Sequence, residues 1–227
     1  MKLKVAVVGA GRMGSIAAGQ LPADVEKLVI DTDLKKAEAV AKACGAKASS
    51  EMSAAADADI LMLVLPTPAI PAAAESAAKA AKPGAILLNM ATNGKVPAEL
   101  SDKFPQLRFV DAKIIGHANS MRLGAPCYVV VNTEDEKEFE KISHVLSGYK
   151  KVVMGDSSLV PLINTVGSTE GIRAAVQCRK LLKQYNVPKE WEDIVIYTVC
   201  AGTMRSYVDG DLGEFARTLA DRLEKEE

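Results

Sequence analysis

The stretch KVAVVGAGRMG (Lys4 to Gly14) decides the fold. Its first part is apolar after Lys4 with no polar alternation, so it reads as a strand buried on both faces, the habit of parallel sheets. It runs directly into Gly9-Ala10-Gly11-Arg12-Met13-Gly14, a G-x-G-x-x-G pattern, and then into the helix-like SIAAGQL. A strand before the glycines and a helix after them give that pattern its meaning. Gly9 permits a tight turn, Gly11 removes a side chain that would collide with a pyrophosphate, and Gly14 lets the helix lie against the strand. The first N–H groups of the helix, with its dipole, favour phosphate. Arg12 and Met13 lie between the glycines and are expected to border the same ligand.

An acidic residue is expected about 20 positions further on, and Asp31 stands there at the end of EKLVID. A carboxylate at that place accepts hydrogen bonds from ribose hydroxyls and repels a 2′-phosphate. NAD is therefore the expected cofactor, with NADP left open by Lys35 and Lys36.

The same style of segment recurs outward from the loop. DILMLVLP, AILLNMA and RFVDAKIIG are further apolar strands, separated by alanine-rich helical stretches such as DLKKAEAVAKACG and IPAAAESAAKAAKPG. CYVVVN and KKVVMGD add two more around the helix EDEKEFEKISHVLSGY. Strands alternating with helices imply an α/β protein with a doubly wound parallel sheet. After Asp156 the alternation stops. Three helical stretches follow, interrupted at Pro188 and Gly210. The expected division is a Rossmann domain over 1–156 and a smaller all-α domain over 157–227.

In an open α/β sheet ligands collect at the carboxyl ends of the strands. Leu65, Pro66 and Thr67, in LPTPAI, form a stiff loop expected along the cofactor ribose. Asn93 or Thr92, in MATNGKV, is expected toward the nicotinamide end.

Bulk properties narrow the function. The formal net charge of −1 and the 4% aromatic content argue against nucleic acid and anionic membrane as partners. No apolar run approaches the roughly 20 residues of a membrane span. The four cysteines (Cys44, Cys127, Cys178, Cys200) are scattered, so neither a disulfide framework nor a metal site is expected. A cytoplasmic protein acting on a small molecule is the expectation.

VAVVGAGRMGS, LVLPTPAI, the long helix and the small helical tail together resemble the pyrroline-5-carboxylate reductases and the neighbouring 3-hydroxyacid dehydrogenases. The helical tail is laid out like the C-terminal part of 6-phosphogluconate dehydrogenases. The resemblance implies a Rossmann domain, helices that interlock in a homodimer, and hydride transfer between nicotinamide and a small imine or carbonyl. The chain departs from both families. VDAKIIGHANSMRLG resembles the dehydrogenase segment Asp-Ala-Pro-Val-Ser-Gly-Gly, but its serine is Ile115 here and Gly-Gly has become Gly116-His117. The catalytic lysine of that family is missing from SSLVPLINTVG, although Asn164, one turn beyond its place, is present. The substrate loop of the reductases, Ser-Pro-Gly-Gly-Thr-Thr, has no counterpart.

His117 therefore becomes the candidate acid/base, because imidazole titrates near neutral pH. Asn119 and Ser120 would orient a substrate, and Arg122 would clamp its carboxylate in a bidentate pair. A polar capping turn with an exposed arginine is the alternative for this segment. Asn164 and Thr165 are candidates for the chemistry and Thr169 for substrate binding. They lie in a polar patch on an otherwise apolar helix. Lys113, sharing a strand face with Asp111, is expected to form an ion pair, and His144 to lie on the surface. Two functions remain open: an NAD(P)-dependent oxidoreductase for a small imino or oxo acid, and a dinucleotide-binding regulatory or sensor protein that has lost the chemistry. A dehydrogenase of the prephenate type, with an acid/base histidine, is a third.

Overall fold

The structure, a computed structural model, describes residues 2–225. Its first compact unit is Met1–Asn164 and its second Thr165–Glu227. The division falls inside a helix rather than at the change of pattern near Asp156.

The first unit is an eight-stranded sheet. β1 (Lys4–Val8), β2 (Glu26–Ile30), β3 (Lys47–Ser49), β4 (Ile60–Leu63), β5 (Ile86–Asn89), β6 (Arg108–Ile115), β7 (Tyr128–Asn132) and β8 (Lys151–Met154) lie in the order β3-β2-β1-β4-β5-β6-β7-β8. Neighbours run parallel except β6 and β7. The sheet is thus doubly wound and mostly parallel, as expected, with an antiparallel step at β6–β7 that the sequence did not disclose. Only the five-residue α5 (Ala118–Arg122) lies between the two strands, and a parallel crossover usually needs a full packing helix. The short β3, too small to give a pattern, was not legible in the sequence.

Alternate residues of the central strands feed two cores, as period-2 geometry requires. Val5, Val7, Ile60 and Met62 face one way, with Ala17 and Ala18 of α1 (Arg12–Gln20) and Ala37 and Ala41 of α2 (Leu34–Cys44). Ala6, Val8, Leu61 and Leu63 face the other, with Ala74, Ala77 and Ala78 of α3 (Ile70–Ala80). The alanine richness of the first half thus has a packing reason, since small side chains let helices lie close to the sheet. Each fully buried Leu or Ile contributes about 1.5–3 kcal/mol of transfer free energy. The unit is completed by α4 (Glu99–Lys103), α6 (Glu136–Val145) and the start of α7 (Val160–Leu182).

In the second unit, α8 (Lys189–Ile194) continues through a π-helical stretch, Val195–Cys200, into α9 (Ala201–Asp209), and α10 (Glu214–Leu223) follows. Pro188 caps α8, and Gly210 ends α9 with a left-handed φ of 71°. The predicted breaks at these residues are where the helices begin and end.

Candidate functional site

β1 is flanked by β2 on one side and β4 on the other, so the chain direction across the sheet reverses there. The carboxyl end beside such a reversal is where doubly wound sheets open a crevice. The glycine loop occupies it. Gly9 has φ +107°, and a Cβ there would meet the Val64 carbonyl oxygen at 2.4 Å. A Cβ on Gly14 would lie 1.8 Å from the Gly9 oxygen, so only glycine lets α1 approach β1 this closely. Gly11 differs: a Cβ there meets nothing within 4 Å. Its missing side chain leaves open space instead of relieving an internal clash.

Asp31 fixes the loop from the end of β2. Its carboxylate accepts the Ala10 N–H at 2.7 Å and the Asp33 N–H at 2.9 Å. Helix α1 begins at Gly11 with no side-chain cap and no acid in its first turn, leaving N–H groups for an anion. A cleft of about 420 Å³ runs along these groups, bordered by Gly9, Gly11, Arg12, Asp31, Leu65 and Pro66 of the expected residues. Ala10, Ser15, Lys36 and Arg122 border it as well. These features fit a dinucleotide: a bare turn for the pyrophosphate, an uncapped helix start and a carboxylate for the ribose.

Other expected residues lie elsewhere. Met13 is half-buried and packs on the core, and Thr67 opens an exposed 3-10 turn, Thr67–Ala69. Asn93 is exposed in the loop after β5. That loop is held by a polar network that sequence reasoning missed apart from its Lys113–Asp111 pair. Asn89, fully buried at the end of β5, donates to the Gly94 carbonyl at 2.8 Å and to Asp111 Oδ1 at 2.7 Å. Lys113, 4% exposed, donates to the carbonyls of Ala91 at 2.6 Å and Gly94 at 3.2 Å, and lies 3.3 Å from Asp111. Burial pushes its ammonium pKa below the ordinary value, and Asp111 offsets this only in part. A polar residue ending the apolar run AILLN was the available signal.

His117 caps α5 just beyond β6, exposed, with Nδ1 3.5 Å from Ser120 Oγ. Asn119 and Ser120 are exposed on the same short helix. The Arg122 side chain turns to the glycine loop, where Nη2 donates to the Arg12 carbonyl at 3.4 Å. Asn164 Nδ2 donates to the Ile114 carbonyl of β6 at 2.8 Å, so this amide ties α7 to the strand carrying the His117 turn. Thr165 and Thr169 are exposed on α7 within the second unit. His144 Nε2 lies 3.1 Å from Asp24 at the surface. Among the described residues no cluster of His, Cys, Asp and Glu could hold a metal, and no helix is long and apolar enough to cross a membrane.

Residues 4–93 match the family profile described as NADP oxidoreductase, coenzyme F420-dependent. Over those residues, which hold the glycine loop and Asp31, the chain is similar to NADP-binding oxidoreductases. Among solved structures it resembles a pyrroline-5-carboxylate reductase from Coxiella burnetii, with TM-score 0.73, 15% identity, and 98% of this chain and 85% of that one covered. A 3-hydroxyisobutyrate dehydrogenase from Salmonella typhimurium gives 0.70 at 22% identity, over 92% and 80%. A reductive aminase from Aspergillus terreus in complex with NADPH and ethyl-5-oxohexanoate gives 0.64 at 21%, over 92% and 79%. Likeness at these identities is likeness of fold. No curated protein matches the sequence.

Proposed function

We propose that the protein is an NAD(P)-dependent oxidoreductase for a small imino or oxo acid, similar in reaction to pyrroline-5-carboxylate reductase. The observation that carries this reading is the cleft in which the bare Gly11 turn, the uncapped start of α1 and Asp31 lie together. When bound, the nicotinamide supplies or accepts the hydride. The chain's own residues do the rest. Asp31 holds the ribose hydroxyls and favours NAD, while Leu65 and Pro66 wall the cofactor. His117 moves the proton at the substrate's heteroatom, with Asn119 and Ser120 orienting the substrate. Asn164 positions the β6 end through the Ile114 carbonyl.

The deciding experiment follows NADH and NADPH consumption at neutral pH with pyrroline-5-carboxylate. The proposal expects turnover that falls roughly 100-fold or more in His117→Ala, the range of general acid–base catalysis. No turnover above blank sinks this reaction.

A sensor function is the second reading, and the Asn164 contact favours it. With its amide engaged on a strand carbonyl and no lysine one turn earlier, this part of the helix holds structure rather than chemistry. It expects cofactor binding without substrate-dependent oxidation.

The helical unit pairs with a second copy of the chain in this proposal. Val166, Ile172, Val176, Tyr197, Val208 and Phe215 are all exposed, and an apolar groove lies between α9 and α10. About 60 residues bury too little surface to leave so much apolar area in water. Sedimentation giving a dimer mass supports the pairing, and a monomer at micromolar concentration rejects it.

A further inference from the structure

We propose that Arg122 clamps the cofactor pyrophosphate, so that α5 supplies a phosphate-binding residue to a cleft otherwise built by the first strands. This rests on the dinucleotide reading of that cleft. It replaces the role in substrate-carboxylate binding that the sequence suggested for Arg122.

The position of Arg122 is set from beneath. Met121, the preceding residue, is buried in the core, and its sulfur packs where Gly116 has no side chain. The short helix is closed by Met121 N–H to His117 at 2.9 Å and by Ala125 N–H to Ser120 at 2.9 Å. With α5 held this way, the exposed Arg122 side chain reaches over the first turn of α1, where Nη2 meets the Arg12 carbonyl at 3.4 Å. That single long bond uses one of five guanidinium N–H donors. Among the described residues no carboxylate pairs with Arg122, whereas Arg108 has Glu138 and Arg179 has both Glu192 and Asp193. An unpaired fork beside an uncapped helix start, with the Gly11 side open, matches the bidentate geometry of a phosphate. The pyrophosphate is common to NADH, NADPH and ADP-ribose, so Arg122 adds affinity without selecting among them.

The test is a fluorescence titration of wild type, Arg122→Ala and Arg122→Lys with NADH and NADPH, and displacement of NADH by ADP-ribose. Thermal melts of the three proteins verify folding, which an exposed side chain should not disturb. The expected result is a Kd raised about tenfold in Arg122→Ala for all three ligands, the scale of a charge-assisted hydrogen bond. Arg122→Lys should recover part of it, keeping the charge but losing the fork. The wild-type Kd should rise more steeply with ionic strength than that of Arg122→Ala. A loss confined to NADPH would make Arg122 a 2′-phosphate reader and overturn the proposal. A loss for NADH and NADPH but not ADP-ribose would move it to the nicotinamide side, and unchanged affinities would remove it altogether. If wild type binds none of the three, the dinucleotide reading itself fails, which is a separate result from a wild type that binds and a variant that binds as well.

Discussion

The Asp31 carboxylate is bonded to the Ala10 N–H at 2.7 Å, so the end of β2 and the glycine loop are one mechanical unit. Its second oxygen holds the Asp33 N–H at 2.9 Å, and Asp33 in turn caps α2 through the Lys36 N–H. Each ionised oxygen has more than one acceptor direction, so holding the backbone leaves capacity for a ribose. One side chain therefore shapes the loop and takes part in choosing its ligand.

Asp31→Ala should show both roles at once. Two backbone N–H groups lose their acceptor, one of them partly buried, at a cost of about 1–2 kcal/mol in chemical denaturation. NADH affinity should fall about tenfold or more, while NADPH affinity falls less, because the charge that repels a 2′-phosphate is gone. Equal losses for the two cofactors would show that Asp31 acts through the loop alone.

Gly11 and Gly14 should separate binding from stability. Gly14→Ala puts a methyl group 1.8 Å from the Gly9 oxygen, so α1 must leave the strand. A loss of about 3 kcal/mol or more, or insoluble protein, is expected. Gly11→Ala meets no atom within 4 Å, and with φ −74° its backbone suits alanine. Its unfolding midpoint should stay within about 0.5 kcal/mol of wild type while NADH binding weakens. A destabilised Gly11→Ala that binds NADH normally would contradict the open-turn assignment.

What the sequence disclosed follows from the range of the interactions. The strand, glycine loop and helix around Lys4 to Gly14 are local and were legible, as was Asp31, whose place is set by one crossover. The β6–β7 reversal depends on how far a short connection can travel, and runs of valine and isoleucine do not state strand direction. Arg122 read as a substrate clamp because its neighbours in sequence are His117 and Asn119. Its neighbour in space is Arg12, 110 residues away. Asn89 lies inside the apolar stretch AILLNMA and drew no reading of its own, although it is the centre of a buried network assembled from two strands and a loop.

Tyr149 supplies a stability test away from the cleft. Its ring is buried at 5% exposure, and its hydroxyl has no hydrogen-bond partner among the described residues. Burial, together with the nearby Cys127 thiol, pushes its pKa well above the ordinary phenol value. An unpaired buried hydroxyl costs about 1–3 kcal/mol, so Tyr149→Phe should match or exceed wild type in urea denaturation. A variant less stable by more than about 1 kcal/mol would mean the hydroxyl is satisfied in solution.

Lys113 should make the loop after β5 measurably dependent on one buried cation. Lys113→Met keeps the aliphatic stem but leaves the Ala91 carbonyl without its donor, while the Gly94 carbonyl retains Asn89. Asp111, 37% exposed, keeps Asn89 and water, so the loss should be about 1–3 kcal/mol rather than that of a stranded buried charge. Amide exchange from Ala91 to Val96 should quicken, because both anchors of that loop act on its carbonyls. The pH dependence carries a sign. Burial lowers the folded-state pKa of Lys113 below its ordinary 10.5, so between those two values the unfolded chain binds the extra proton. The Lys113 contribution therefore rises as pH climbs through the lowered pKa toward 10.5, and the gap between wild type and Lys113→Met should widen over that window. A gap that narrows instead would show that pairing with Asp111 outweighs burial, and that the ammonium, not the neutral amine, is the form the fold prefers.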